Sequence, residues 1–341
     1  MSARPSAWFV VVPPEGAARE AGLETARALT ALLGIDSCKI FDSKKYLEFF
    51  TGQLKRPEET LVIDLFNHAL AVQCLDFGAG NCLVCALSPV TLFTLNLLRS
   101  HGVKTTHWFY EDFRVARYWK TVIEGYDTFF AIQKGPLPDA CRHAGCAYSF
   151  LPTAAGSACN ASDPARAPAD RPRDVAFIGI PSPYRVETLE HLAALGLSLC
   201  VAGLGWDRYD GPLRGSIVNN AWTDAKQAGD LLRTSKIGIN LSVQQPGSDR
   251  PNTHVSPRVY DVLASGCVLV TEDVPLAHDF LKDLHFHSFS DKEEAGRRIS
   301  GILAGMDGEK RFLESNRAVV CRDHTYENRA RRIIQLIGET T

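Results

Sequence analysis

The chain has 341 residues, long for a single core, so two domains are expected. Hydrophobic residues make up 45% and charged residues 22%, an ordinary globular composition, and a net charge of −2 gives no electrostatic case for nucleic acid. No apolar run approaches the roughly 20 residues that span a bilayer.

The opening MSARPSAWFVVVPPEG carries a short apolar run cut by Pro13-Pro14, which reads as a first strand and not as a secretory signal. Further strands are expected at 38–41, 61–66, 82–87, 105–109, 128–132 and 149–151, after a first at 8–12. Helical spacing lies between them, as at 16–33, where Ala, Leu and Thr recur three and four residues apart. Such alternation implies a mostly parallel sheet with covered faces. Residues 153–173, TAAGSACNASDPARAPADRPR, lack any periodicity and read as a linker. The Asn160-Ala-Ser162 sequon within it carries no meaning without a secretory route.

Alternation then resumes, with strands at 174–180, 197–203 and 237–241 and helices at 183–195 and 224–235. A short helix at about 256–264 stops at Gly266, a residue suited to the position after a helix end, and a second buried strand follows. A charged helical tail covers about 292–337. The domains therefore read as 1–152, a linker 153–173, 174–322, and a final helix at 323–341.

Of ten cysteines, most lie in apolar, strand-like text (Cys82, Cys85, Cys200, Cys267) and are expected as buried thiols acting as small hydrophobes. Cys82-x-x-Cys85 lacks a second pair at zinc spacing, and Cys141 and Cys146 lie too far along the chain to supply one, so no metal site is expected. The absence of a signal then implies a reducing cytoplasm. There is no phosphate-binding G-x-x-x-x-G-K-[ST], no G-x-S-x-G elbow and no H-E-x-x-H. Gly78-Ala-Gly80 and Gly203-Leu-Gly205 both lack the third glycine of a dinucleotide fingerprint.

In doubly wound folds ligands sit beyond the carboxyl ends of the strands. The strand ending at Gly179 leads into a helix start, which turns N–H groups and a positive dipole end toward an anion, and Arg185 in the first turn can pair with a diphosphate or stay solvated. Trp206, after Gly203-Leu-Gly205, can stack on a base or sugar, or pack. Asn240 ends a buried strand, where its amide requires partners or a ligand. The loop that follows is polar, with Gln244, Gln245, Asp249, Arg250, Asn252 and His254, and leads to Ser256 and Arg258 at the helix start. Asp261 can accept two hydrogen bonds from vicinal hydroxyls, as a ribose requires, or serve a helix surface. In the first half, His107, Glu111 and Asp112 close a strand. A carboxylate there can act as general base on an acceptor hydroxyl or cap the next turn, and His107 is expected to be packed.

Ile237-Gly-Ile-Asn240-Leu followed by Arg258-Val-Tyr-Asp261-Val-Leu-Ala-Ser-Gly266 resembles the CgeB-like group of glycosyltransferases, with its "iNl…R-x-F-E-A-L-A-x-G-x-x-L-x-T" pattern. The resemblance extends to the Phe177-Ile-Gly179 opening with Tyr184 and Arg185, to Gly203-Leu-Gly205-Trp206, to the His107–Asp112 segment and to the ending His324-Thr-Tyr-Glu-Asn-Arg329. It is strongest from Asp174 to Asp273 and thin before residue 60. It implies the α/β GT-B architecture, two Rossmann-like doubly wound domains facing each other across a cleft, with the final helix returning to the first. It also implies a hexosyltransferase-like enzyme with a nucleotide-diphospho-sugar donor on the second domain and an unknown acceptor (glycan, protein or small molecule) on the first. No cofactor or bound metal is implied, and no D-x-D motif occurs. Gly179, Arg185, Trp206, Asn240, His254, Ser256, Arg258 and Asp261 become donor-binding candidates, and Asp112, Glu111 and His107 catalytic ones. Asp261 stands where the family has a longer glutamate, and Thr253 stands where related families carry a first glutamate. Those departures keep open a non-catalytic binding or assembly protein of a cell or spore surface structure. A sugar-nucleotide epimerase or a phosphorylase on the same scaffold remains a further alternative.

Overall fold

The computed structural model describes residues 7–156, 159, 170–243 and 254–339. The chain forms two compact units: one holds the described residues up to Thr153 together with those from Tyr326 onward, the other runs from Ala154 to Thr325.

The first unit follows β1 (Trp8–Val12), α1 (Gly16–Leu33), β2 (Cys38–Asp42), α2 (Ser43–Gln53), α3 (Glu59–Asp76), β3 (Asn81–Cys85), α4 (Leu92–Ser100), β4 (Lys104–Phe109), α5 (Trp119–Val122), β5 (Thr128–Ala131), α6 (Leu137–Ala144) and β6 (Ala147–Phe150). All six strands pair in parallel, in the order β2-β1-β3-β4-β5-β6. Every residue of β1 and β3 is buried, the mark of strands covered on both faces.

The expected strand at 61–66 is instead the beginning of α3. Val62, Phe66, Leu70 and Cys74 fall four apart on one buried stripe, and Glu59 sits in the positive first turn. Helical period therefore overrides the β-branched look of Leu-Val-Ile. After β3, α4 begins at Leu92, where the Thr91 hydroxyl accepts the amide of Thr94.

The second unit follows β7 (Arg173–Ile178), α7 (Pro183–Ala194), β8 (Leu199–Ala202), β9 (Ile217–Asn219), α8 (Ala225–Arg233), β10 (Ser235–Asn240), α9 (Pro257–Ala264), β11 (Val268–Glu272), α10 (Pro275–Phe280), β12 (His287–Phe289), α11 (Lys292–Ala304) and α12 (Met306–Asp323). Its parallel sheet is ordered β12-β11-β10-β7-β8-β9. Counted along the unit this is 3-2-1-4-5-6, the dinucleotide-fold order, whose topological switch lies between β7 and β10.

Two cores sandwich this sheet. One gathers Val175, Phe177, Leu189, Val201, Trp206 and Ile239; the other gathers Tyr260, Val262, Leu263, Leu269 and Val320. The eight residues of α9 are too few for intrinsic stability, so the burial of Val259, Tyr260, Val262 and Leu263, about 1.5–3 kcal/mol for each such side chain, holds it. Gly266 takes a left-handed φ of 67° immediately after α9 and turns the chain into β11.

The chain passes between the units twice, after Thr153 and after Thr325. The last helix, α13 (Tyr326–Glu339), belongs to the first unit, where it packs on α1. There Arg329 Nε donates to the carbonyls of Pro152 (2.8 Å) and Thr153 (3.0 Å). In the second unit the His324 ring stacks on Tyr260, and its carbonyl accepts the Ala155 amide at 2.8 Å. Most of the linker and its sequon lie outside the described residues. Eight cysteines are buried thiols, among them Cys82, Cys85, Cys200 and Cys267 as expected, and Cys159 and Cys321 form a disulfide. Among the described residues, no helix is long and apolar enough to cross a membrane.

Candidate functional site

At the switch point of the second unit, β7 leads into Gly179 and β10 ends in Asn240, and two guanidiniums converge beside that glycine. A Cβ at position 179 would lie 3.3 Å from Arg258 Nη2 and 3.4 Å from Arg185 Nη1. Both guanidiniums also lie over the Phe177 ring, at 5.3 Å for Arg185 and 5.8 Å for Arg258. Two cations held this close attract an anion, because each disfavours the charge of the other. Burial first, and then the neighbouring Arg258, pull the Arg185 pKa down to about 9, with Glu272 opposing. Burial likewise lowers that of Arg258, against the pull of Asp261 and Glu272.

The two arginines have different work. Arg185 is 4% exposed, and its N–H groups donate to the carbonyls of Ile180 (2.9 Å), Leu241 (2.8 and 3.1 Å) and Ser242 (3.0 Å). It braces the ends of β7 and β10 against each other, which leaves Arg258 as the cation presented to a ligand. Arg258 is half-buried and donates from Nη1 to Asn240 Oδ1 at 3.1 Å. Asn240 in turn donates to Thr271 Oγ1 at 2.9 Å, so its buried amide is satisfied at both ends. Glu272, a residue the sequence reading did not single out, closes β11 with no exposure and accepts both the amide and the hydroxyl of Ser242 at 2.8 Å.

Gly203 follows β8 with φ of 142°, and a Cβ there would stand 2.3 Å from the Gly179 carbonyl oxygen. Trp206 is 2% exposed, donates its indole N–H to that same carbonyl at 2.8 Å, and packs on Phe177 and Tyr209. Of its two sequence readings, the packed one describes this geometry. Ser256 caps α9 by accepting the Arg258 amide at 3.4 Å, and His254 is half-buried just before it. Asp261 is half-buried, and its Oδ1 accepts the Gly156 amide at 3.1 Å. Gln244, Gln245, Asp249, Arg250, Asn252 and Thr253 lie outside the described residues.

In the first unit, β4 carries His107 and leads to Glu111 and Asp112. His107 has no exposure: Nδ1 lies 2.8 Å from the Val84 carbonyl, Nε2 lies 3.2 Å from the Tyr118 hydroxyl, and the ring stacks on Tyr126. A carbonyl only accepts, so Nδ1 holds the proton and Tyr118 donates to Nε2. Burial drives the His107 pKa down to about 3, so the ring is neutral. This removes His107 from the catalytic candidates, because a sealed, doubly bonded ring has no proton to exchange with substrate. Its partner Tyr118 accepts the Leu87 amide at 2.8 Å, and Leu87 is a non-glycine residue at φ 64°, just past β3.

Asp112 accepts the Arg114 amide at 2.9 Å and pairs with the Arg114 guanidinium, so it caps a turn and is already neutralised. Glu111 differs: burial, and then the adjacent Asp112, raise its pKa from 4.5 to about 7. A base with that value exchanges protons near neutrality. The unfolded carboxyl ionises first as pH rises, so Glu111 lowers stability progressively between pH 4.5 and about 7 and by a constant amount above. Denaturant unfolding at pH 5 and pH 8 should show the wild type losing more stability over that interval than Glu111→Gln does; equal losses would contradict the raised pKa.

A recess of about 690 Å³ lies at the opposite, amino-terminal ends of β4 and β5, where Arg99 and Asp127 pair at 3.1 Å. It includes neither Glu111 nor any switch-point residue of the second unit.

A family model described as "Glycosyl transferase-like" matches residues 185–335, and no curated protein matches the sequence. Sucrose-phosphate synthase from Thermosynechococcus elongatus superposes with a TM-score of 0.68 at 12% identity, over 98% of this chain and 99% of that one. A glycosyltransferase from Rickettsia africae gives 0.67 at 13%, over 99% of both chains. Anabaena Alr3699/HepE in complex with UDP-glucose gives 0.66 at 10%, over 98% of this chain and 100% of that one. At such identities the likeness is one of fold. The chain has the two-domain α/β fold of GT-B glycosyltransferases, and its second unit carries most of a glycosyltransferase-like domain.

Proposed function

We propose that the protein is a glycosyltransferase that takes its sugar from a nucleotide-diphospho-sugar, with the diphosphate held by Arg258 at the ends of β7 and β10. One observation carries the reading: two guanidiniums are fixed beside Gly179 at the topological switch of a dinucleotide-type sheet. The start of α7 and Arg258 supply positive potential to the departing diphosphate. Asp261 and the segment from His254 to Ser256 stand toward the nucleoside. In the first unit, Glu111 is better suited than Asp112 to accept a proton from an acceptor hydroxyl, because Asp112 is paired with Arg114. The complex of Alr3699/HepE with UDP-glucose makes a uridine diphosphate sugar the first donor to try. The motif residues from Asp174 to Asp273 support reading it as a member of the CgeB-like group. We place it in the cytoplasm, a compartment in which the Cys159–Cys321 disulfide is open to reduction.

Calorimetric titration of UDP-sugar into Asp261→Ala and Asp112→Ala tests the assignment. Asp261→Ala should weaken binding more; if Asp112→Ala abolishes binding and Asp261→Ala leaves it intact, the donor does not lie on the second unit. The hydrogen bond from Gly156 to Asp261 favours a second reading, a binding protein on the same scaffold, because it occupies one oxygen a ribose would use. Affinity without turnover selects that reading, and donor turnover without acceptor selects an epimerase.

A further inference from the structure

Away from the switch point, the second unit brings together His285, His287 and Glu309. His287 opens the edge strand β12, His285 precedes it by two residues, and Glu309 lies in the first turn of α12. His285 Nε2 lies 3.2 Å from Glu309 Oε2, and His287 Nε2 lies 3.1 Å from Glu309 Oε1. All three donor atoms fall within 4.8 Å of one another.

The cluster is braced from below. The His285 ring stacks on Phe312 at 3.7 Å, and the buried Asn316 clamps its backbone, donating to the His285 carbonyl and accepting the His285 amide, both at 2.8 Å. One turn and then another of α12 thus fix where this imidazole stands. The stacking holds the ring and the two backbone hydrogen bonds hold the residue that carries it.

The spacing has a chemical meaning. Tetrahedral coordination at about 2.0–2.1 Å sets neighbouring donors roughly 3.3 Å apart; here each imidazole meets a different Glu309 oxygen and the three donor atoms span at most 4.8 Å, so a small inward shift brings them onto one ion. Two imidazoles and one carboxylate are borderline donors, suited to Zn²⁺ and also to Co²⁺ and Ni²⁺. The three side chains are 14–32% exposed, so water can reach a fourth position.

We propose that His285, His287 and Glu309 bind one divalent transition-metal ion, zinc by donor chemistry, which fastens the edge strand β12 to α12. This revises the sequence expectation that no metal is bound. The ion sits at the start of an edge strand and not at the carboxyl ends of β7 and β10 beside Arg258, so its role is to hold the unit together.

The test uses chelator-stripped full-length protein, titrated with Zn²⁺ against a competing colorimetric chelator and with Co²⁺ followed by visible absorption. One equivalent of Zn²⁺ should bind and raise the unfolding midpoint, and Co²⁺ should give the ligand-field bands of a low-coordinate site without a thiolate charge-transfer band. Glu309→Gln, which keeps shape and packing, and His287→Ala should each lower affinity by at least the roughly 100-fold that losing an outer partner can cost. Circular dichroism of the stripped variants checks that they fold. His278→Ala, at an exposed histidine paired with Asp273, should leave binding unchanged. Substoichiometric binding, undiminished binding by Glu309→Gln and His287→Ala, or a thiolate band that places the ion on cysteine would each overturn the proposal.

Discussion

Arg258→Ala is expected to weaken nucleoside diphosphate binding by about 10- to 100-fold while the protein stays folded. A hydrogen bond to a charged group contributes about 1.5–3 kcal/mol, and more than one such bond can run from a guanidinium to a diphosphate. The fold tolerates the loss because Arg258 donates to a neutral amide, Asn240, which keeps its bond to Thr271. Removing one of two adjacent cations also relieves Arg185, whose pKa should rise from about 9. Arg185→Ala is a poorer probe: it strips the carbonyls of Ile180, Leu241 and Ser242 of their donor and loosens both strand ends. Calorimetry with UDP on wild type, Arg258→Ala and Arg258→Lys measures the difference. Lysine should fall between the two, since it keeps the charge but not the fork. An unchanged affinity in Arg258→Ala would mean that the diphosphate is held elsewhere.

Gly203→Ala should cost about 2–5 kcal/mol of stability, the sum of backbone strain and forced overpacking. Its φ of 142° is one that L side chains avoid, and the new methyl would stand 2.3 Å from the Gly179 oxygen. Nothing there can yield cheaply, because that oxygen belongs to the backbone and accepts the Trp206 indole N–H. Gly215→Ala is the control. It has open space around the added methyl and no positive φ, so a change within about 0.5 kcal/mol is expected. Urea unfolding of the three proteins reads the contrast directly. A Gly203→Ala protein as stable as wild type would show that β7 and β8 do not approach this closely at their ends.

Much of this architecture was legible because strand ends advertise themselves. Gly179 and Asn240 follow buried apolar runs, Arg258 opens the helix beyond the polar loop, and the fold brings those three together. The run at 61–66 misled because three apolar residues in succession suit a strand or a helix equally, and only Phe66, Leu70 and Cys74 beyond it settle the period. The roles of Arg185 and Trp206 were not legible. Both depend on carbonyls brought near by other loops, and sequence spacing does not carry that information. The contrast between Glu111 and Asp112 had a local signal, since Arg114 stands two residues beyond the acid it neutralises. Glu272 had one too, a carboxylate closing the apolar run Val268-Leu-Val-Thr. The Cys159–Cys321 pair had none, at a separation of 162 residues.

The most direct test of the account is a thermal-shift panel of UDP, GDP, ADP, CMP and their common sugar conjugates on wild type and Arg258→Ala. A ligand at about 100 times its dissociation constant adds roughly 2.7 kcal/mol, a readily measured rise in midpoint. The account predicts a selective rise with one nucleoside diphosphate and its sugar, strongly reduced in Arg258→Ala. A flat panel on the wild type, confirmed by calorimetry, would contradict it and turn attention to a scaffold that binds no sugar nucleotide.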